Sequence, residues 1–249
     1  IQNVTASQTF QPPTANFTTN PTPPEGDAPF TVAFTNTSSG TIDTYNWTFG
    51  DGATSNEINP GYVYANAGTY TVTLSVSGPG GVDSFSQQVR VFEGVTAGFT
   101  FAQSPGTFTV NFTNTSTGNI TGYNWTFGDG ATSVAVNPSR TYAAAGTYNV
   151  TLTANGPTGT DSITQSVTVV AAPTAAFTVT PTTTTIGSPV TITNNASGSI
   201  TTTSWTFGDG GTFTGANPGT YTYTTAGTFT ITQTVTGSGG TSTASQNVT

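Results

Sequence analysis

The hexapeptide Trp-Thr-Phe-Gly-Asp-Gly occurs three times in this chain, at Trp47–Gly52, Trp125–Gly130 and Trp205–Gly210. The copies are spaced 78 and 80 residues apart, and a motif that recurs at a nearly constant interval indicates tandem copies of one module. Modules of about 80 residues are large enough to fold as separate domains. The sequence of 249 residues therefore predicts an N-terminal strand or linker at 1–14, followed by domains at 15–93, 94–172 and 173–249.

Alternating apolar and polar residues follow the sequence Ala-Gly-Thr in each module. In the first module, Tyr70, Val72 and Leu74 alternate with threonines, which is the period-two pattern of a strand with one buried face. The third module has Gln233 at the position of Leu74, so we expect its core to be the weakest or locally rearranged. Short segments of this kind between Gly, Pro and Asn turns predict antiparallel β-sandwiches and no helix.

Several motifs occur in the same order in all three modules: the hexapeptide, an Asn-Pro turn, and Ala-Gly-Thr followed by an aromatic residue. Over Ala15–Thr249 this order resembles the PKD (polycystic kidney disease) domain. The resemblance implies an immunoglobulin-like β-sandwich of the kind found on cell surfaces, in surface layers and in secreted hydrolases. It also implies a role in spacing, adhesion or protein contact, without catalysis. The predicted fold class is all-β, with three tandem immunoglobulin-like (PKD-like) antiparallel β-sandwiches, and the short joins between them predict a rod.

Charged residues make up only 5% of the sequence, with ten acids against Arg90 and Arg140, and the formal charge is −8. Nucleic acids and anionic membrane surfaces are bound by basic faces, so neither is expected as a partner. No apolar run is long enough to cross a bilayer, so membrane insertion is not expected either. Because the sequence does not begin with Met, we expect that a leader has been removed and that the protein is secreted, in an extracellular or cell-surface location.

The Trp and Phe of the hexapeptide are two residues apart and therefore point to the same side of a strand. We interpret them as core anchors, because an aromatic ring contributes a large buried area. A sugar-stacking platform is the alternative. The predicted anchors are Trp47, Phe49, Trp125, Phe127, Trp205 and Phe207.

The Asp of the hexapeptide, at Asp51, Asp129 and Asp209, lies between two glycines. This pattern favours a turn in which the carboxylate accepts local backbone N–H groups. A calcium ligand is the alternative, although calcium takes about six to eight oxygens and commonly several carboxylates. We therefore predict no metal site and no cofactor. The chain also has no His, Cys or Lys to act as a nucleophile or base, so we predict that it is not an enzyme.

Asn-x-Ser/Thr sequons are frequent in the chain. Asn46 and Asn124 directly precede Trp on a predicted strand, so they point outward if Trp points inward. In a host that glycosylates asparagine, glycans would coat the nearly uncharged surface. The candidate glycosylation sites are Asn3, Asn46, Asn111, Asn124 and Asn195.

Each module ends in the sequence Gln-x-Val-x, and a fourth copy occurs at Gln2–Thr5, where no module precedes it. Aligned on this motif, the first two modules continue to Val91 and Val169, whereas the third stops at Thr249. We therefore expect the last strand of the third module to be cut short, which leaves an acceptor sheet edge next to Val248.

Residues 1–11 are the segment expected to fill that edge in a neighbouring copy. The apolar residues of this assembly strand are Ile1, Val4 and Phe10. Addition of a strand to an open edge gives main-chain hydrogen bonds and pockets for alternate side chains. Contacts of this head-to-tail kind do not close and build filaments.

The sequence thus predicts a non-enzymatic, self-assembling subunit of an extracellular filament, sheath or surface layer, with other copies of itself and glycans as partners. A variant is that the chain is one period of a longer tandem array. Two further alternatives are an adhesin or accessory stalk that binds carbohydrate or a receptor, and a virion surface decoration protein. The exposed aromatic residues that an adhesin needs are sought outside the repeated core, at Phe10, Phe92 and Phe213.

Overall fold

The computed structural model describes residues 9–249, and these residues form β-strands and connecting turns without any helix. The all-β prediction is confirmed, and each of the three domains is built from two sheets. The opening strands begin at Phe17, Phe99 and Phe177. Each begins two residues after the alanine of the Ala-x-Phe-Thr-like pattern, since the preceding chain makes only an isolated bridge, such as that between Thr14 and Ser39.

Domain 1 consists of a three-stranded sheet, β1-β3-β6, and a five-stranded sheet, β2-β8-β7-β4-β5. Its strands are β1 (Phe17–Asn20), β2 (Glu25–Asp27), β3 (Phe30–Asn36), β4 (Thr44–Thr48), β5 (Thr54–Ser55), β6 (Gly61–Tyr64), β7 (Gly68–Gly78) and β8 (Gly81–Phe92). The pairs are antiparallel except for β2, which runs parallel to the end of β8.

Domain 2 consists of the sheets β13-β10-β9 and β12-β11-β14-β15. Its strands are β9 (Phe99–Gln103), β10 (Thr109–Asn114), β11 (Gly122–Thr126), β12 (Thr132–Ser133), β13 (Ser139–Thr141), β14 (Gly146–Asn155) and β15 (Thr160–Val169).

Domain 3 repeats this arrangement with the sheets β16-β17-β20 and β19-β18-β21-β22. Its strands are β16 (Phe177–Thr180), β17 (Pro189–Asn194), β18 (Thr202–Thr206), β19 (Thr212–Thr214), β20 (Gly219–Thr222), β21 (Phe229–Gly237) and β22 (Gly240–Val248).

One hydrophobic cluster fills the space between the two sheets of each domain. Strand β7 shows how the sequence pattern produces it. Val72, Leu74 and Val76 are fully buried, while the threonines between them face outward. Burial of a Val or Leu side chain stabilises a fold by about 1.5–3 kcal/mol, so a strand with three such residues has a strongly preferred register.

The edge beside the last strand is closed differently in each domain. In domain 1 it is covered by the parallel strand β2. In domain 2 the side-chain amide of Gln103 replaces that strand: its Nε2 donates to the Val170 carbonyl (2.7 Å) and its Oε1 accepts from the Val170 N–H (3.0 Å). In domain 3 the Thr249 N–H donates to the Thr182 carbonyl and the Thr184 N–H donates to the Thr249 carbonyl, both at 2.9 Å.

The Cα positions divide the chain into two compact units. The first contains domain 1 together with Ser116–Gly122 and Ala154–Asp161 of domain 2. The second contains Ala97–Thr115, Tyr123–Thr153 and Ser162–Thr249, which comprise the remainder of domain 2 and all of domain 3.

Gln233 is the buried polar residue that the sequence places in the core of domain 3. It is fully buried, and its Nε2 donates to Asn194 Oδ1 at 2.6 Å. Its Oε1 has no hydrogen-bond partner. An unpaired buried polar atom costs about 1–3 kcal/mol, so this core is destabilised relative to one with leucine at the same position.

Replacing Gln233 with Leu is expected to raise the free energy of unfolding of domain 3 by about 1–2 kcal/mol, because it removes the unpaired oxygen and adds apolar surface to the core. Hydrogen exchange of β18 and β21 peptides would measure the change. The matched control is Leu152→Gln in domain 2, which we expect to lower the exchange protection of that domain. Weaker protection of domain 3 in Gln233→Leu would show that the hydrogen bond to Asn194 outweighs the unpaired oxygen.

Candidate functional site

The tryptophan of each hexapeptide lies in the core of its domain and is at most 1% exposed. Its indole N–H is satisfied inside the same domain, by a backbone carbonyl ten residues further along the chain. Trp47 donates to Glu57, Trp125 to Ala135 and Trp205 to Gly215, at 2.9, 2.9 and 3.1 Å. The phenylalanines Phe49, Phe127 and Phe207 are each 2% exposed. The hexapeptide rings are therefore packing groups, and none of them faces solvent as a sugar-binding platform would.

Three buried tyrosines, which the sequence analysis did not single out, fasten the carbonyl of each hexapeptide phenylalanine. Their hydroxyl groups donate to that carbonyl at 3.0–3.1 Å, and the pairs are Tyr64 with Phe49, Tyr142 with Phe127 and Tyr223 with Phe207. Burial raises the pKa of Tyr142 and Tyr223 to about 12. The signal in the sequence is an aromatic residue four or five positions after the proline of each Asn-Pro turn.

The first glycine of Gly-Asp-Gly is required by a close approach of two backbones. Gly50 has a φ of +87°, and a Cβ at this position would lie 2.7 Å from the Thr71 nitrogen. Gly128 and Gly208 have the same geometry. A side chain at any of the three would strain the backbone and clash with β7, β14 or β21.

The aspartates of domains 1 and 3 are held by a backbone N–H and a tyrosine. Asp51 Oδ1 accepts from the Ala53 N–H at 3.0 Å and its Oδ2 accepts from the Tyr62 hydroxyl at 2.7 Å. Asp209 accepts from the Gly211 N–H and from the Tyr221 hydroxyl, both at 2.9 Å. Each carboxylate is thus already engaged as a turn-stabilising acceptor.

Asp129 uses an arginine where the other two aspartates use tyrosine. Its Oδ1 accepts from the Ala131 N–H at 3.1 Å, and Oδ2 accepts from Arg140 Nε at 2.8 Å. Burial raises the pKa of Asp129, but these two donors outweigh burial and hold its pKa below the usual value. The carboxylate is therefore ionised at neutral pH.

Residues 9–249 contain no group of three or more His, Cys, Asp or Glu side chains that could hold a metal ion. The same residues contain no helix of the length and hydropathy needed to cross a membrane. The predictions of a calcium-free turn and of a chain without cofactors stay predictions. In this structure Asp51, Asp129 and Asp209 each accept a hydrogen bond from a backbone N–H of their own turn and another from a side chain on a different strand.

The Gln-x-Val motif joins the last strand of a domain to its opening strand. Gln165 Nε2 donates to the Phe99 carbonyl at 2.9 Å, and Gln246 donates to the Phe177 carbonyl at 2.5 Å. The valine that follows two residues later lies in the core. Val248 is 1% exposed and is paired with Phe229 of β21, and its strand, β22, is the edge strand of the sheet.

An apolar groove of about 290 Å³ lies next to Val248 at the end of β22. We call it the domain 3 groove. It is lined by Thr184, Thr185, Ile186, Tyr223, Thr225, Ala226, Gly227, Thr228, Phe229, Val248 and Thr249. The rings of Tyr223 and Phe229 stack in it with their centroids 4.3 Å apart, and Ile186 at its rim is 62% exposed.

The residues predicted to form the assembly strand are only partly described. Ile1 and Val4 lie outside the described residues. Phe10 is 45% exposed and lies outside any strand, and the Gln11 carbonyl accepts from the Thr41 N–H of domain 1 at 3.0 Å. Of the other aromatic residues considered for binding, Phe213 is 37% exposed on β19.

Of the candidate glycosylation sites, Asn3 lies outside the described residues. Asn46 and Asn124 are exposed on β4 and β11. Asn111 is exposed, and its Nδ2 donates to Ser104 Oγ at 3.0 Å. Asn195 is exposed directly after β17.

The family model described as PKD domain matches this chain in three segments, residues 10–92, 99–171 and 170–249. A search of curated proteins finds similarity to Collagenase ColA of Bacillus cereus, which is 47% identical over 53 residues. That match covers 21% of this chain and 6% of the collagenase. PKD domains are typical of extracellular and secreted proteins such as this collagenase.

Two kinds of solved structure are similar to the chain. The PKD1 domain of the Vibrio cholerae metalloprotease PrtV is 36% identical with a TM-score of 0.28, and the match covers 32% of this chain and 96% of that domain. A three-domain immunoglobulin fragment of titin is 12% identical with a TM-score of 0.51, and the match covers 97% of this chain and 99% of the fragment. The titin fragment shows that the fold is that of tandem immunoglobulin-like domains.

Acid is expected to weaken domain 2 through Asp129. Its lowered pKa stabilises the fold above the pKa of the unfolded state, and that stabilisation is lost as the pH falls through the folded pKa. Between about pH 5 and about pH 2, domain 2 should therefore lose more stability in the wild type than in Asp129→Asn. Because Arg140 is partly exposed, the difference at neutral pH should stay below about 1 kcal/mol. Hydrogen exchange of β14 peptides at several pH values measures this, with Arg140→Gln as the control. Identical pH profiles of wild type and Asp129→Asn would contradict the assignment.

Proposed function

This chain belongs to the PKD domain family, and from that premise we propose that it is a non-catalytic structural protein of the cell exterior whose copies associate head to tail into a filament, sheath or surface layer. Domains of this family are typically non-catalytic modules. The observation that carries the proposal is the domain 3 groove, an apolar site at the end of a sheet with exposed Ile186 at its rim.

The other two domains indicate which side chain such a groove accepts. In domain 1 the corresponding aromatic pair is Tyr64 and Tyr70, and the core cluster around it contains Val91, which is 3% exposed. In domain 2 the stacked pair is Tyr142 and Tyr148, and the core cluster around it contains Val169, which is 1% exposed. A branched apolar side chain on an added strand is therefore the occupant that fits the domain 3 groove.

The sequence of residues 1–8 contains the pattern that such a strand requires. Gln2-Asn3-Val4-Thr5 has the same sequence as Gln246–Thr249, the end of the last module. Thr249 already pairs with Thr182 and Thr184. In our proposal this segment of one copy therefore continues the sheet of domain 3 beyond Thr249 in the next copy, and an apolar side chain such as Val4 enters the groove. Strand addition combines main-chain hydrogen bonds with side-chain pockets, and the contact is head-to-tail, so it propagates into a filament.

Glycans remain part of the proposal as a coat on the exposed sequons. Asn46 and Asn124 lie at equivalent exposed positions in domains 1 and 2, while domain 3 has Ser204 there. N-linked glycans at the first two positions would cover the outward sheet faces of domains 1 and 2 and leave that of domain 3 bare. No observation on the described residues favours the adhesin, stalk or virion alternatives, since the exposed Phe10 lies before domain 1 and the exposed Phe213 lies in domain 3.

Val4→Lys tests the head-to-tail contact. A lysine carried into an apolar groove loses its hydration without gaining a partner, so association should weaken at least about 10-fold. Asn3→Lys is the matched control, because neighbouring residues of a strand point to opposite faces and this lysine would stay in water. Light scattering during size-exclusion chromatography and electron micrographs would report oligomer length for both variants and for the wild type.

Equal assembly of Val4→Lys and wild type would contradict the proposal, as would a wild-type chain that stays monomeric at every concentration. The intact mass of the protein from its natural source provides a further check. A single longer polypeptide with further modules would mean that the groove is filled by the same chain, and this would replace association between copies with a tandem array.

A further inference from the structure

The outward face of the four-stranded sheet in domain 3 consists almost entirely of hydroxyl side chains. We define the hydroxyl face as every second residue of β18, β19, β21 and β22, counted from Thr202, Thr212, Thr230 and Thr241. Every position of this face is Thr or Ser except Asn247. The register places these residues side by side, as in the row Thr214, Ser204, Thr234 and Thr243.

The hydroxyl groups of the two longest strands bond to each other across the sheet. Thr232 Oγ1 and Ser245 Oγ are 2.9 Å apart, and Thr236 Oγ1 and Thr241 Oγ1 are 3.2 Å apart. In each pair one hydroxyl donates to the other, so removal of water leaves only the hydrogen of the accepting hydroxyl to be satisfied. The face can therefore be covered by a flat partner at a lower desolvation cost than isolated hydroxyl groups would impose.

Charge distribution separates domains 2 and 3 from domain 1. Seven of the ten acids lie in domain 1, two in domain 2 and one, Asp209, in domain 3. Together with Arg90 and Arg140, this gives formal charges of −6, −1 and −1 for the three domains. Asp209 is held in its turn by Tyr221 and is not part of the hydroxyl face. Two copies of domain 3 can therefore approach face to face without the repulsion that copies of domain 1 would meet.

We propose that the hydroxyl face packs against the same face of a second copy, around a two-fold axis. The four strands have 5, 3, 9 and 9 residues, and at about 4.8 Å between strands and about 3.3 Å per residue they give a face of about 400 Å². Two such faces bury about 800 Å² in total, which is below the size of a standard interface and is typical of a weak contact. The pairing is thus weak and symmetric. Its role as a lateral contact between filaments rests on the proposed function, whereas the pairing itself does not.

The experiment compares charged variants of the face in the Val4→Lys background, so that head-to-tail growth does not contribute to the readout. One variant combines Ser204→Lys with Thr243→Lys, and the other combines Ser204→Glu with Thr243→Glu. Sedimentation equilibrium should show a monomer–dimer equilibrium for the parent and at least about 10-fold weaker dimers for each charged variant alone. An equimolar mixture of the two should recover dimers, because opposite charges then meet across the interface.

The matched control places two lysines on the outward face of the corresponding sheet in domain 1, as Thr44→Lys with Ser84→Lys. This control should dimerise like the parent, and thermal unfolding should show that all variants remain folded. A parent that stays monomeric at concentrations up to about 1 mM would overturn the proposal. So would charged variants that dimerise normally, or a mixture that fails to recover.

The outcomes also separate this inference from the proposed function and from another occupant. Wild-type chains that dimerise but never lengthen would support the face pairing and overturn head-to-tail assembly. Wild-type filaments together with a monomeric Val4→Lys parent would support head-to-tail assembly and overturn the face pairing. A monomeric parent that co-sediments with insoluble neutral β-glucan, and loses that binding in the Lys variant, would identify an uncharged polysaccharide as the occupant and overturn the second-copy pairing.

Discussion

The hydrogen bond from a buried tryptophan to a loop carbonyl is the contact on which each domain depends. In domain 1, Trp47 on β4 packs against Phe17 of β1 and Phe34 of β3, with ring centroids 5.0 and 5.5 Å apart, and so connects the two sheets. Its Nε1 donates to the Glu57 carbonyl at 2.9 Å, which ties the loop after β5 to the same core. A single side chain therefore fixes the sheet spacing and the path of the loop. Removal of a buried aromatic of this size costs about 3–5 kcal/mol.

Because the side chains of the hexapeptide are buried or hydrogen-bonded within their own domain, the function of the chain has to depend on surface residues outside the motif. Trp and Phe fill the core, glycine permits the approach of a second strand, and Asp closes the turn. All three domains share these contacts, so they cannot distinguish one domain from another. The differences lie elsewhere. Domain 3 has a polar residue, Gln233, in its core, an apolar groove beside Val248, and a single charged residue.

The sequence predicts the fold well because its strongest signals are local and repeated. The period-two run through Val72 and Leu74 predicts both the strand and its buried face, and the spacing of the tryptophans predicts the number of domains. The partners of Asp129 and Asp51 could not be predicted, since Arg140 and Tyr62 lie eleven residues away and meet the carboxylates only after a strand has turned back. The role of Gln103 could not be predicted either. Nothing in the sequence of β9 indicates that one amide side chain takes the place that a whole strand, β2, has in domain 1.

The groove lies at one end of domain 3, whereas the hydroxyl face is the outward side of its four-stranded sheet, and this allows the two proposed contacts to differ in strength. A strand added at an edge forms directional main-chain hydrogen bonds and fills a pocket, and this favours a defined register. Pairing of a face of about 400 Å² made of uncharged hydroxyl groups has little directional preference and lies below the size of standard interfaces. Copies joined end to end would present many such faces on one particle, so contacts that are weak singly would act together. A strong longitudinal contact with weak lateral contacts allows filaments to form first and to bundle only as they lengthen. The near absence of charge in domain 3 is compatible with such lateral contacts, because a strongly charged face would oppose them at every repeat.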